Sequence, residues 1–92
     1  STTESAALKL MDYSDQANEY VDKLVDLRIQ IARELDQLKD DRYRIILRER
    51  YLCSKLWEEI AVEQNYAYGS VIRLHGEALT QFKKDFPEKF HT

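Results

Sequence analysis

Apolar side chains recur at helical intervals along most of the chain. Between residues 14 and 39 they fall at Ala17, Tyr20, Leu24, Leu27, Ile31, Leu35 and Leu38, with spacings of 3, 4, 3, 4, 4 and 3. This rhythm predicts one long amphipathic helix and excludes strand alternation. Val21, Val25 and Ala32 widen the stripe beyond a strict coiled-coil seam. The 3-4-4 step from Leu24 to Leu35 breaks a strict heptad, so a long left-handed coiled coil is not expected. Asp22, Lys23, Asp26, Arg33 and Asp36 lie mostly off the stripe. Asp22 and Asp26 form a like-charge i,i+4 pair, which weakens an isolated helix. The stripe must therefore bury itself, on the second half of the chain or on another chain.

Ahead of it, Ser1 and Glu4 have capping-box spacing, and Leu8 and Met11 are three apart. Residues 1–13 read as a helix, or equally as a frayed end. Asp40 and Asp41 stop the long helix and can cap the next, over residues 42–52 with Ile45, Ile46, Leu47, Tyr51 and Leu52 as its apolar positions. Cys53, Ser54 and Lys55 break the pattern. A third helix follows over 56–64, with Glu58 and Glu59 suited to its positive N-terminus. Asn65-Tyr66-Ala67 forms a tight turn, since Asn tolerates the left-handed conformation. The fourth helix runs from Tyr68 to about Phe86, with Val71, Leu74, Ala78, Leu79 and Phe82 on one face, and Pro87 ends it. The expected fold is all-α: an N-terminal helical segment over 1–40, a three-helix domain over 41–87, and a tail over 88–92.

Composition narrows the function. Ninety-two residues with 43% hydrophobic and 34% charged side chains make one small folded domain. Two glycines and one proline leave little turn chemistry for an all-β chain or a phosphate loop. The net charge is −3, with 7 basic and 10 acidic residues in 1–46 against 7 and 7 in 47–92. A polybasic nucleic-acid coat is thereby excluded. One cysteine makes neither an intrachain disulfide nor a Cys-based zinc site. With no membrane-length apolar run and no signal-peptide h-region, a soluble intracellular chain is expected.

Two helices joined by three residues, the second opening Tyr68-Gly69-Ser70-Val71, suggest a helix-turn-helix. Small Ala61 lets the second helix approach, and Ile60, Val71 and Leu74 lock the crossing. The outer face of the second helix is left for the DNA major groove. Arg50-Tyr51-Leu52, Trp57-Glu58-Glu59-Ile60-Ala61, Val71 and Ala78-Leu79 resemble region 4 of bacterial sigma factors, which reads the −35 promoter element. Tyr13-Ser14-Asp15-Gln16-Ala17, Asp41-Arg42-Tyr43-Arg44 and Arg73-Leu74-His75-Gly76-Glu77-Ala78-Leu79 are similar to short phage- and prophage-encoded regulators of the ArpU and RinA type. The resemblance covers residues 13–86. It implies a cytoplasmic regulator in a bacterial host, acting on late or lysogeny-linked genes. Double-stranded DNA would be its target and RNA polymerase a further contact, while the wide stripe and the single strong cation near the start of the fourth helix point to a homodimer through residues 17–38. The alternative is a sigma-like module that binds RNA polymerase or a sigma partner without touching DNA; a purely structural helical dimer is a third reading. The sequence departs from the pattern at Leu56 and Ala67, where Ser or Thr caps are usual, at Asn65 in place of the turn glycine, and at Gln64 in place of an apolar residue. Each lost cap costs about 1 kcal/mol.

Arg73, Ser70, Tyr68 and Gly69 are the candidates for the groove-facing surface. Arg pairs with guanine or phosphate, Ser and Tyr with phosphate or sugar, and Gly permits close backbone approach. Lys55, Arg48, Arg50, Lys83 and Lys84 are candidates for flanking phosphates, or are simply solvated. Arg50 has the further option of a carboxylate partner, Glu58 or Glu59. Trp57, Tyr51 and Tyr66 are expected in the core. His75 is expected to be packed and hydrogen-bonded, and His91 to lie in the tail. Glu58 and Glu59 are adjacent, so they diverge by about 100° on a helix and make no acid–base dyad. Cys53 has no partner at a catalytic spacing. No enzyme, metal or cofactor signature is found.

Overall fold

The computed structural model describes residues 1–90, with side chains described through Glu88. His91 lies outside the described residues. The fold is all-α, and no strand occurs among the described residues. Helix α1 spans Thr2–Asp36, α2 Asp41–Leu47, α3 Trp57–Gln64 and α4 Tyr68–Asp85. Arg48–Leu52 continue α2 as a π-helical turn, closed by the Cys53 N–H donating to the Arg48 carbonyl at 3.1 Å. Pro87–Phe90 form a short 3-10 turn.

The chain divides into two units, Ser1–Gln30 and Ile31–Thr92. In the first unit the helix starts as the Ser1–Glu4 spacing predicts. The Glu4 N–H donates to Ser1 Oγ, and the terminal ammonium meets Glu4 Oε2, both at 3.2 Å. The two segments read separately from the sequence, 1–13 and 14–39, are one continuous helix. Every residue from Ser1 to Gln30 is exposed. Tyr20, Leu24 and Leu27 of the apolar stripe keep 64%, 47% and 49% of their surface in solvent.

The second unit holds the core. Leu35, Leu38, Ile46, Leu47, Ile60, Ala61, Val71, Leu74 and Ala78 are buried together, with Ile31, Tyr43, Leu52, Trp57 and Phe82 packed against them. The C-terminal end of the stripe is therefore consumed inside its own chain. Leu35 and Leu38, expected in a dimer seam, are 3% and 1% exposed. The step that breaks the heptad, Ile31 to Leu35, falls where α1 enters this core.

The linker is held by its own polar groups. Asp40 caps α2 by accepting the Arg42 N–H at 2.9 Å, as its position predicts. The Arg42 side chain also donates to the Asp40 carboxylate, and this hydrogen bond chiefly holds the carboxyl below its ordinary range. Arg44 pairs with Asp41 and donates to the Leu38 carbonyl at 2.6 Å. Arg48 pairs with Asp36. Burial also differs from the sequence reading in α2, α4 and the turn. Tyr51 and Tyr66 are 50% and 41% exposed rather than core, and Ile45 and Leu79 are exposed at 40% and 39%.

The two leucines Leu35 and Leu24 share a helix and a stripe but not an environment. Leu35→Ala should cost the second unit about 2–5 kcal/mol. Leu24→Ala should change it by less than about 0.5 kcal/mol. Urea unfolding followed by the fluorescence of Trp57, the chain's one tryptophan, reads both. Equal losses would contradict this division of the stripe.

Candidate nucleic-acid interface

The three residues between α3 and α4 form a well-defined stop. Asn65 adopts the left-handed conformation, with φ 60° and ψ 43°. The Tyr66 N–H donates to the Ala61 carbonyl at 2.9 Å and the Asn65 N–H to Val62 at 3.3 Å. This is the Schellman pattern, and Asn supplies the left-handed residue more cheaply than any branched side chain could. Leu56, which precedes α3, cannot cap with its side chain. The Glu59 carboxylate supplies the other half of a capping box by accepting the Leu56 N–H at 3.2 Å. Ala67 likewise makes no side-chain cap, so the first-turn N–H groups of α4 point outward without one.

Burial of Val71, Leu74 and Ala78 sets which way α4 faces. At about 100° per residue, Gly69, Arg73, Gly76 and Thr80 fall together on the side opposite the core. Gly69 and Arg73 are thus brought onto one exposed face. Tyr68 and Ser70 are not; each sits about 100° from Gly69, on opposite flanks. Tyr68 is half exposed and Ser70 half buried. On the Ser70 flank, Glu77 accepts a 3.4 Å hydrogen bond from the Tyr43 hydroxyl. The Thr80 hydroxyl donates back to the Gly76 carbonyl at 3.0 Å. Lys84, a flanking-phosphate candidate from sequence, shares this side of α4; Gly76 and Thr80 join it without having been candidates, although the steps Arg73–Gly76, Gly76–Thr80 and Thr80–Lys84 are of three and four residues.

Neither glycine is needed by the chain itself. Both lie within the α4 helix, neither has a positive φ, and a Cβ added at either would meet nothing within 4 Å. Yet Gly76 sits in the helix interior, where glycine costs about 1 kcal/mol relative to alanine, while Gly69 lies in the first turn, where that full penalty does not apply.

The cations divide into two groups. Lys55 lies between Glu49 and Glu63, with both Nζ–O distances 2.5 Å. Hydrogen bonds to these two carboxylates hold its ammonium above the ordinary lysine range. Arg50 does not pair with Glu58 or Glu59. It donates to the Lys55 carbonyl at 2.8 Å and lies 4.3 Å from the centre of the Trp57 ring. Arg42, Arg44 and Arg48 have the partners described above. Arg73 and Lys84, by contrast, form no ion pair among the described residues.

Behind this surface runs a stack that the sequence did not announce. His75 packs on Trp57 with ring centres 4.6 Å apart, and its Nε2 lies 2.7 Å from the Tyr51 hydroxyl. Burial, and secondarily the nearby Arg50 charge, lowers the His75 pKa. The neutral ring can then accept the Tyr51 O–H. This is the packed, hydrogen-bonded histidine expected from sequence, but its partner lies 24 residues away, beyond the reach of any periodicity. No cluster of three or more metal-ligating side chains occurs among the described residues.

No family model matches the chain, and neither does a curated protein or a solved structure.

A histidine whose folded pKa is depressed contributes stability at pH values above its unfolded pKa, near 6.5. That contribution is lost as pH falls through the folded value, because the unfolded chain takes up the proton first. The NMR titration of His75 should show a midpoint below 6.5, and His75→Gln should flatten the loss of Tm between pH 7 and 5. A midpoint at or above 6.5 would contradict the packing described.

Proposed function

We propose that this chain is a sequence-specific DNA-binding transcriptional regulator of phage or prophage type, with α3 and α4 as a helix-turn-helix and α4 lying in the major groove. The observation that carries the reading is the pair Gly69 and Gly76 on the exposed face of α4. Gly76 costs helix stability and neither glycine has an internal reason to be small, which suits a helix pressed against another surface. They lie about 10.5 Å apart along the helix, with Arg73 between them. Arg73 is the side chain placed to pair with a base or phosphate, Lys84 is a second cation on that face, and the open N-terminal turn of α4 favours an anion. Tyr68 and Ser70 would meet the two flanking strands rather than the groove floor. Lys55 drops from the phosphate-binding set, because its charge is already met by two carboxylates.

The reading places the protein in the cytoplasm of a bacterial host. That no helix among the described residues is long and apolar enough to cross a membrane accords with it. A second reading, a module that binds RNA polymerase or a sigma partner without DNA contact, is favoured by one observation. Residues 1–30 carry 3 basic and 6 acidic side chains, all of them exposed. Such a surface suits a basic protein and repels DNA.

Selection from random double-stranded DNA at two salt concentrations separates the readings. A phosphate-contacting protein enriches a motif and loses affinity steeply as salt rises. No enrichment at low salt supports the polymerase-binding module. Within the DNA reading, Arg73→Ala should weaken binding to the selected site by about 1–3 kcal/mol, and Lys55→Ala by far less. Gly76→Ala should raise stability by about 1 kcal/mol while lowering affinity. Undiminished DNA affinity in both Arg73→Ala and Gly76→Ala would remove α4 from the interface.

A further inference from the structure

The continuity of α1 changes how its stripe is read. Once residues 2–13 belong to the same helix, the apolar row extends back through Tyr13 and Leu10 to Ala6. From Ala6 to Ile31 the spacings are 4, 3, 4, 3, 4, 3 and 4, an unbroken heptad. Leu10, Ala17, Leu24 and Ile31 take position a, and Ala6, Tyr13, Tyr20 and Leu27 take position d. The irregular step to Leu35 begins at Ile31, the first residue of the second unit, which is half-buried and packs in part against that unit's core, so it closes the seam only with the side it leaves exposed. Leu10, Tyr13, Tyr20, Leu24 and Leu27 are between 47% and 69% exposed. A helix this exposed draws little stability from its own contacts.

We propose that residues 6–31 pair with the same residues of a second copy of this chain, as an antiparallel two-stranded coiled coil. The sizes of the seam residues select the direction. Antiparallel pairing sets each a residue level with a d residue of the other helix. One register uses all eight residues and places Leu10 opposite Leu27, Ala17 opposite Tyr20, Leu24 opposite Tyr13, and Ile31 opposite Ala6. Each alanine then faces a large side chain, so no layer pairs two small residues. Parallel pairing would set Ala6 on Ala6 and Ala17 on Ala17, leaving voids, and Tyr13 on Tyr13 and Tyr20 on Tyr20, crowding the layers between.

Charge selects the same direction. The acids of this segment, Asp12, Asp15, Glu19, Asp22 and Asp26, occupy the outer positions c and f. The flanking positions e and g hold Lys9, Lys23 and Arg28 and no acid. A parallel pair would oppose Lys23 to Arg28 on both sides of the seam. The antiparallel register instead opposes Lys9 to Gln30, Lys23 to Gln16, Arg28 to Ala7 and Val21 to Ser14, so no like charges meet across it. The arrangement is isologous, with its two-fold axis between Asn18 and Glu19. It does not depend on what α4 binds.

The test uses the whole chain with Cys53, the exposed and only cysteine, replaced by serine. Sedimentation equilibrium should give a dimer, and Leu24→Asp should raise the dissociation constant at least a hundredfold. Trp57 fluorescence checks that the second unit of that variant stays folded. Under copper–phenanthroline oxidation, Leu10→Cys alone should give no covalent dimer, because the two positions would stand about 25 Å apart. Leu10→Cys combined with Leu27→Cys should give a doubly bridged dimer. A monomer at 0.1 mM, a larger assembly, or covalent dimer from Leu10→Cys alone would each overturn the proposal.

Discussion

The burial of Val71, Leu74 and Ala78 governs the chemistry available to this protein. An α-helix has one rotational degree of freedom about its axis, and these three residues remove it. With them inside, Gly69, Arg73 and Gly76 must point away from the core. The Schellman turn at Asn65 fixes where the helix begins, and α2, with Ile46 and Leu47, together with Ile60 and Ala61 of α3 provides the surface on which it rests. The exposed face is a consequence of the packed one, and no residue on it has to be chosen for stability. One of them, Gly76 in the helix interior, works against it.

Electrostatics sorts the remaining side chains. The second unit contains as many acids as bases, yet its pairing is uneven. Around α2 and the π-helical turn, each arginine and the neighbouring Lys55 is tied to a carboxylate, a carbonyl or an aromatic ring. These contacts organise the linker and the approach to α3. On α4, Arg73 and Lys84 have no such ties among the described residues. A formal charge near zero over this unit thus hides two cations without ion-pair partners among the described residues, on a side of α4 that also carries Glu77. The same sorting explains why Lys55, plausible from its position in the chain, is poorly placed to hold a phosphate.

Much of the architecture was legible in the sequence because it is written locally. Asp40 as a cap, Asn65 as a left-handed stop, the start of α4 at Tyr68 and the core face Val71-Leu74-Ala78 each depend on a residue type or a spacing within one or two turns. The misreadings have physical causes. Tyr51 is expected inside from the general preference of aromatic side chains for burial, but it lies in the π-helical turn of residues 48–52, which shifts the facing of its side chain away from a regular helix. Tyr66 follows the left-handed residue, where the chain leaves the helix and its aromatic ring covers the core edge instead of entering it. The stack of Trp57, His75 and Tyr51 joins three elements across the sequence, and no periodicity encodes it. At the surface, residue types suggested Tyr68, Gly69, Ser70 and Arg73 as a group. The helical angle separates Tyr68 and Ser70 from the other two.

The bare first unit has a consequence for how the chain behaves in solution. Helices without tertiary contacts are marginal in water, and nucleating one is costly. If the contacts that hold residues 6–31 come from another copy, the order of nearly a third of the chain obeys mass action. Diluted, the arm would lose helix and become open to proteolysis while the core around Leu38 and Val71 stayed intact. Concentrated, or brought together on a shared scaffold, two arms would order each other. Secondary structure in this segment then reports local protein concentration, a property that the second unit, closed on itself, does not share.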